Sequence, residues 1–284
     1  MKAGFWVAPE GAEEAVAMLP IGGDAAALDA RRKANFLATS SAEELIKRCP
    51  SVARLLPEIA DALQTQRACE PNRLFDVTDL PDDDRELLSQ VTGEGEVAGV
   101  AALTDGVIAQ LHESVMAGLW RVRFVDAAGA RIADYLEVGP IPQAVRKAAG
   151  LTAPDLAFGA PPPGAMNVMP VLAEIRDRMG AHRPGGPAHV INFSLLPMNE
   201  ADMGFLQRTL GDGPVRLVSR GYGACRVHAT GARHVWSVQF FNAMDTIILD
   251  TLEIGDAPLA ACAAEEDFRD SAERLREIDE AYFR

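Results

Sequence analysis

An internal duplication limits the possible folds of this chain more than any other feature. The segment Trp120-Arg-Val-Arg-Phe124 recurs 116 residues later as Trp236-Ser-Val-Gln-Phe240. Other positions recur at the same offset, namely Leu56 at Leu172, Pro81 at Pro197, Glu137 at Glu253 and Pro142 at Pro258. Sequence repeats of 20–50 residues are typical of solenoids, whereas this longer period predicts two copies of a small globular domain.

The composition is that of an ordinary globular protein with an acidic surface. The chain has 284 residues, of which 48% are hydrophobic, and its formal net charge is −14. Excess negative charge disfavours binding to nucleic acid and to anionic membranes. It would suit a basic protein partner, although many proteins are acidic without such a partner. No run of about 20 apolar residues predicts membrane insertion, and glutamates interrupt the N-terminus where a signal peptide is apolar. We therefore expect a cytoplasmic protein.

The sequence divides into four segments. Residues 1–45 are predicted to form an N-terminal arm, residues 46–150 the first repeat, and residues 169–284 the second repeat with a long C-terminal helix. Residues 151–168 are rich in proline and glycine and are predicted to be a linker.

Each repeat is predicted to fold as α-β-α-β-β-β-β-α. Apolar and polar residues alternate in the tryptophan strands, which indicates one buried and one solvated face. The fold class is therefore α+β, with two tandem duplicated domains, each a mainly antiparallel sheet with flanking helices.

The two repeats differ most in the connection between their second and third strands. In the second repeat this connection reads Ser-Arg-Gly-Tyr-Gly-Ala-Cys-Arg, and it supplies the candidate partner-binding residues Arg220, Gly221, Tyr222, Gly223, Cys225 and Arg226. An alternative interpretation is a glycine turn followed by a buried strand cysteine. The third glycine and the lysine of phosphate-binding loops are missing, so the string does not predict a nucleotide site.

Cys225 is the only candidate metal-binding or reactive residue that we single out. Cys49, Cys69, Cys225 and Cys262 form no CxxC pair, so the sequence predicts neither a zinc ribbon nor a ferredoxin cluster. Arg220 and Arg226 could lower the pKa of the Cys225 thiol. His182, His189 and His234 are available as bases, but their sequence positions do not place them beside it. His228 would point to the opposite face of the strand.

Several segments resemble the HupH/HyaF family of hydrogenase expression/formation proteins. They are the paired blocks Leu-Trp-Arg-Val-Arg-Phe and Leu-Glu-Val-Gly-Pro-Ile-Pro, the segment Met-Asn-Val-Met-Pro-Val-Leu-Ala-Glu-Ile, and the Cys225 string followed by Val-Trp-Ser-Val-Gln-Phe-Phe-Asn. The resemblance covers about residues 50–280. Ala224 departs from the asparagine that the family often has.

The resemblance implies an accessory protein of [NiFe]-hydrogenase maturation. The expected function is that of a non-catalytic chaperone that binds the hydrogenase small subunit or its precursor before export, together with other maturation proteins. No cofactor is expected. The alternative is a carrier of iron, an Fe–S fragment or redox equivalents that uses Cys225.

Overall fold

The computed structural model describes residues 41–220 and 223–284. Seven α-helices lie in this part of the chain: α1 (Ala42–Arg48), α2 (Pro50–Thr65), α3 (Asp82–Thr92), α4 (Gln143–Ala149), α5 (Val168–Ala181), α6 (Glu200–Leu210) and α7 (Glu265–Phe283). The same part holds ten strands: β1 (Arg73–Asp76), β2 (Val97–Ala102), β3 (Ile108–Glu113), β4 (Leu119–Val125), β5 (Arg131–Val138), β6 (His189–Asn192), β7 (Asp212–Ser219), β8 (Cys225–Thr230), β9 (Val235–Phe241) and β10 (Ile247–Ile254). The α+β prediction is confirmed. The predicted arm lies almost entirely outside the described residues.

Two capping boxes start helices where the sequence pattern indicates. The Ser41 hydroxyl accepts a hydrogen bond from the Glu44 backbone N–H at 3.3 Å, and the Glu44 carboxylate accepts one from the Ser41 N–H at 3.1 Å. Asn199 and Asp202 form the same reciprocal pair at the start of α6. Each box satisfies backbone donors that the first helical turn leaves without partners.

One acidic residue in each repeat caps a helix other than its own. The sequence pattern assigns Asp84 to the first turn of α3, but its carboxylate accepts hydrogen bonds from the N–H groups of Ser51 and Val52 in α2. Asp202 accepts from Met166, Asn167 and Val168 at the start of α5. A buried carboxylate at a helix N-terminus satisfies these donors and the helix dipole together.

The chain forms two compact units. The first unit comprises residues 41–96, Gln110–Pro142 and Ala263–Arg284. Its strands neighbour one another in the order β1-β5-β4-β3, and β5 pairs antiparallel with both β1 and β4. The core of this unit consists of side chains from α1, α2, α3 and α7 packed on residues such as Leu119, Leu136 and Val138.

The second unit comprises Val97–Ala109 and Gln143–Cys262. Its strand order is β2-β7-β8-β9-β10-β6, with antiparallel pairing throughout. Helices α5 and α6 contribute Leu172, Ile175 and Leu206 to its core. Leu156 of the predicted linker is 5% exposed and belongs to that core, so this part of the linker is packed against the second unit.

The compact units cut across the two sequence repeats. Strand β2 comes from the first repeat but pairs with β7 of the second repeat, from Val97 opposite Ser219 onward. Helix α7 lies at the end of the second repeat but packs on α1 and α2. Each unit is therefore completed by an element from the other repeat.

The polar faces of the tryptophan strands are not open to solvent, in contrast to the expectation from their alternation. Two guanidinium nitrogens of Arg121, Nε and Nη2, donate to Asp134 at 3.1 and 2.8 Å, and the Asp134 side chain is 0% exposed. In the second repeat, buried Gln239 donates to Asp250 at 3.3 Å. Polar residues can be buried here because they satisfy one another, so exposed contact surface has to be sought elsewhere.

Candidate functional site

The candidate residues lie at the hairpin between β7 and β8. Ser219 pairs with Cys225, so residues 220–224 form the connection between the strands. Arg220 and Gly223 are exposed. Gly223 has φ +91°, a backbone region that glycine occupies without strain. Gly221 and Tyr222 lie outside the described residues.

A second turn lies beside this hairpin. The Phe241 N–H donates to the Ala224 carbonyl at 2.8 Å, which brings the turn between β9 and β10 next to the candidate residues. In that turn the Asn242 side chain accepts from the N–H groups of Met244 and Thr246. The Asn242 contacts fix the backbone, and the Met244 side chain is left 84% exposed.

A strand irregularity exposes a further apolar residue near the same turn. The register between β10 and β9 shifts between Ile247 and Leu249, which leaves Ile248 in a bulge without a paired partner. Ile248 is 63% exposed. We call Arg220, Gly223, Met244 and Ile248 together the hairpin end of the second unit.

The hairpin end differs from its counterpart in the first repeat. The turn between β4 and β5 has the same length as that between β9 and β10, and it places Ala128 where the second repeat has Met244. Ile132 stands at the position of Ile248 and is 50% exposed. A large, flexible apolar side chain is thus added only in the second repeat, and methionine is common on surfaces that bind other proteins.

Arg226 does not lie beside the Cys225 thiol. Adjacent residues of a strand point to opposite faces, and the Arg226 guanidinium lies 4.2 Å from the centroid of the Phe241 ring. This cation–π contact stabilises the end of β9. Arg226 therefore supports the hairpin end instead of activating the thiol.

The surroundings of Cys225 disfavour a thiolate. Cys225 is 4% exposed, and burial, followed by the Glu253 carboxylate, raises the pKa of its thiol to about 12. A thiol with this pKa stays protonated at neutral pH and is a poor nucleophile and metal ligand. His228 lies on the opposite face of β8, and burial together with Arg216 and Arg226 lowers its pKa to about 4.

The other histidines of the second repeat make different contacts. His189 Nε2 lies 2.6 Å from Glu174. The ring centroids of His182 and His234 are 4.0 Å apart, and the ring planes are tilted by 38°. Within residues 41–220 and 223–284, these two histidines and Asp256 make the one group of three side chains with metal-ligand spacing, and Cys225 is not part of it.

A cavity of about 30 Å³ lies in the first unit. His112, Arg121 and Arg123 line it together with the C-terminal end of α3. Burial lowers the pKa of His112, so the imidazole is neutral at pH 7. A cavity of this size has room for about one water molecule and is too small for an organic substrate.

Comparison with known proteins places the chain among hydrogenase accessory proteins. The C-terminal conserved region of the HupH hydrogenase expression proteins matches it twice, over residues 51–153 and 165–282, which confirms the internal duplication. The chain is 64% identical over 284 residues to the hydrogenase expression/formation protein HupH of Rhizobium leguminosarum bv. viciae, covering 100% of both chains.

More distant relatives have related names. Identity is 44% over 226 residues with the hydrogenase expression/formation protein HoxQ of Cupriavidus necator, covering 79% of each chain. It is 34% over 233 residues with the hydrogenase-1 operon protein HyaF of Escherichia coli, covering 81% of this chain and 80% of that one. A solved structure of a HupH hydrogenase expression protein from Thiobacillus denitrificans is 26% identical and covers 40% of this chain and 96% of that chain, with a TM-score of 0.35.

In the described part of the chain, no helix combines the length and apolar character that crossing a bilayer requires.

Proposed function

The chain belongs to the HupH family of hydrogenase expression/formation proteins, and we propose that it is a non-catalytic chaperone that binds the small-subunit precursor of a [NiFe]-hydrogenase. On this proposal it acts in the cytoplasm, before the precursor is exported, alongside other maturation proteins. Its role in hydrogenase maturation follows from the family, and the identity of the client is our inference.

The hairpin end of the second unit is the observation that supports a binding role. Met244 is an exposed apolar side chain on a turn that hydrogen bonds to Asn242 fix, and Ile248 is an exposed apolar side chain in the bulge of β10. Burial of exposed apolar groups by a partner contributes favourably to the free energy of binding. Groups on a rigid support also lose little conformational entropy when they bind. Arg220 adds a cation that can pair with an acidic group of the partner.

The acidic surface suits a partner with a basic segment. The net charge of −14 attracts positively charged chains over several ångströms and raises their association rate. An export signal with twin arginines would present such a segment next to apolar residues. The apolar hairpin end and the acidic surface together match a precursor chain better than a small molecule.

A non-catalytic role agrees with the chemistry around the candidate residues. Catalysis by Cys225 would need a thiolate and a neighbouring base, whereas its thiol is buried with a pKa of about 12 and His228 faces away from it. The alternative function, an iron or redox carrier based on Cys225, has less support for the same reason.

Anaerobic co-purification tests both functions together. Wild type and Cys225→Ser are each expressed with a tagged small-subunit precursor, and bound precursor and bound iron are measured. We expect both proteins to hold equal amounts of precursor. Precursor retained by neither protein contradicts the chaperone proposal, and iron that is lost only in Cys225→Ser supports the carrier.

A further inference from the structure

Three side chains from separate elements of the second unit converge away from the hairpin end. His182 is the residue that follows α5, His234 lies in the turn before β9, and Asp256 follows β10. One ligand atom from each lies within 4.8 Å of the others. Sequence separation hides this group, because 52 residues separate the two histidines.

His182 approaches Asp256 without forming a hydrogen bond to it. Its Nε2 lies 3.1 Å from Asp256 Oδ1, and its side chain is only 7% exposed. The alignment of the two groups does not meet hydrogen-bond geometry, so among the described residues Nε2 is a buried nitrogen without a hydrogen-bond partner. The ring nitrogen and the carboxylate oxygen are close but are not aligned with each other. Two ligands that bind the same third atom have this arrangement.

Backbone contacts hold the three residues in place. The second oxygen of Asp256 accepts a hydrogen bond from the Gly185 N–H at 2.7 Å, which leaves Oδ1 facing His182. The Gly255 N–H donates to the His234 carbonyl at 2.8 Å. Orientation of ligand side chains by such outer contacts is a regular feature of protein metal sites.

The backbone of His234 has a conformation that disfavours histidine. Its φ is +66°, in the left-handed region that costs a non-glycine residue about 1 kcal/mol or more. The equivalent position of the first repeat is Gly118, with φ +82°. The backbone conformation at His234 therefore has a free-energy cost that the glycine of the first repeat avoids, and it places an imidazole at this point.

The other two positions also differ between the repeats. Gln66 stands at the position of His182, and Pro140 stands at the position of Asp256. None of the three first-repeat residues is an imidazole or a carboxylate. The group is thus a feature of the second repeat alone and is not needed by the fold that the two repeats share.

We propose that His182, His234 and Asp256 bind a divalent transition-metal ion such as Zn²⁺, Ni²⁺ or Fe²⁺. Two imidazole nitrogens and one carboxylate oxygen suit these ions and not Mg²⁺ or Ca²⁺, which prefer oxygen ligands alone. Three protein ligands leave at least one coordination position for water or for a partner side chain. The Asp256 side chain is 51% exposed, so this position is accessible.

The charge around the group agrees with this assignment. Asp256 Oδ1 lies 3.1 Å from His182 Nε2. The carboxylate supplies the negative charge that a cation requires.

Metal titration of the purified full-length protein tests the site. After treatment with a chelator, the protein is titrated with Zn²⁺ and Ni²⁺ in competition with a chromophoric indicator, and with Mg²⁺ as a comparison. We expect one transition-metal ion per chain and no Mg²⁺ binding in the same range. The absorption spectrum of bound Co²⁺ reports the number and type of ligands independently.

The first repeat supplies the variants. His182→Gln and His234→Gly each restore the residue of the equivalent first-repeat position, and His234→Gly also removes the backbone strain, so we expect both to fold. Each should weaken binding at least 10-fold, whereas His189→Gln should not change it. Binding that survives in His182→Gln/His234→Gly, or wild-type affinity for Zn²⁺ no higher than for Mg²⁺, would show that the group is a structural contact only.

Discussion

Glu113 at the end of β3 is a buried carboxylic acid that couples folding to pH. Burial raises its pKa to about 7, although the Gly118 N–H partly opposes this shift, and the charges of Glu96 and Asp267 add to it. The folded state therefore binds a proton that the unfolded state releases near pH 4.5. The contribution of Glu113 to the free energy of unfolding is fully present below pH 4.5 and is lost as the pH rises through 7.

We predict that Glu113→Gln removes much of the loss of stability between pH 5 and pH 8. The raised pKa corresponds to at most roughly 3 kcal/mol across this range. Urea unfolding at both pH values measures the effect, with the exposed residue Glu280 changed to glutamine as the control. If the pH dependence of Glu113→Gln equals that of wild type, another group is responsible.

Asp202 shows how one residue can fix the start of two helices. Burial alone would raise the pKa of its carboxyl, but the N–H donors of Asn167, Asn199, Met166 and Val168 hold that pKa below its usual value. We predict that Asp202→Ala costs at least about 2 kcal/mol, because buried donors lose their acceptor. Denaturant unfolding measures this, and Asp82→Ala, at a fully exposed side chain, should cost less than about 0.5 kcal/mol. Similar costs for both variants would contradict the capping role.

The partners of individual side chains can be predicted from the sequence only where those partners are near in the chain. The capping boxes at Ser41 and Asn199 join residues three apart in the chain, so the sequence pattern indicates both helix starts. The capping of α5 by Asp202 spans 34 to 36 residues and was not predicted. The group of His182, His234 and Asp256 is more dispersed still, and its only sequence signal is that a histidine replaces the glycine of the other repeat.

At the scale of elements, the C-terminal helix α7 belongs to the core of the first unit. Ala272, Leu275 and Phe283 pack with residues of α1 and α2 in one hydrophobic cluster. Arg276 donates to Gln64 and Asp61 of α2. The stability of the first unit therefore depends on the last residues of the chain.

We predict that Leu275→Ala destabilises the first unit by about 2–5 kcal/mol through the loss of buried apolar contacts. Amide hydrogen exchange should show reduced protection in α1 and α2. Leu206→Ala in α6 is the matched control, and its effect should fall on α5 and its neighbours in the second unit. Loss of protection in the second unit alone after Leu275→Ala would contradict the assignment of α7.

Local patterns predicted elements better than their partners. Strand β5 runs from Arg131 to Val138, and its turn and its alternation are both local signals. The pairing of β2 with β7 and the packing of α7 on α1 and α2 could not be predicted. A local sequence pattern does not indicate whether an element packs with its own repeat or with the other one. The prediction of solvated strand faces was wrong for a related reason. The alternation of apolar and polar residues did not show that Arg121 would form hydrogen bonds with Asp134.

At the scale of the whole molecule, duplication provides two similar units, and the differences between them are the basis for the proposed binding sites. The units share the tryptophan strands, the capping aspartates and the buried polar pairs on the sheet. The second unit alone adds Met244 at its hairpin end and the His182 group. A chaperone contact at the hairpin end would therefore be specific to one unit, although the fold is repeated.

The affinity of the purified small-subunit precursor for three proteins tests this account most directly. Met244→Asp places a charge at the hairpin end, and Ala128→Asp places the same charge at the equivalent turn of the first repeat. We predict that Met244→Asp weakens binding at least 10-fold, and that Ala128→Asp binds as wild type does. Equal affinities for all three proteins, or no binding by wild type, would contradict the proposed function.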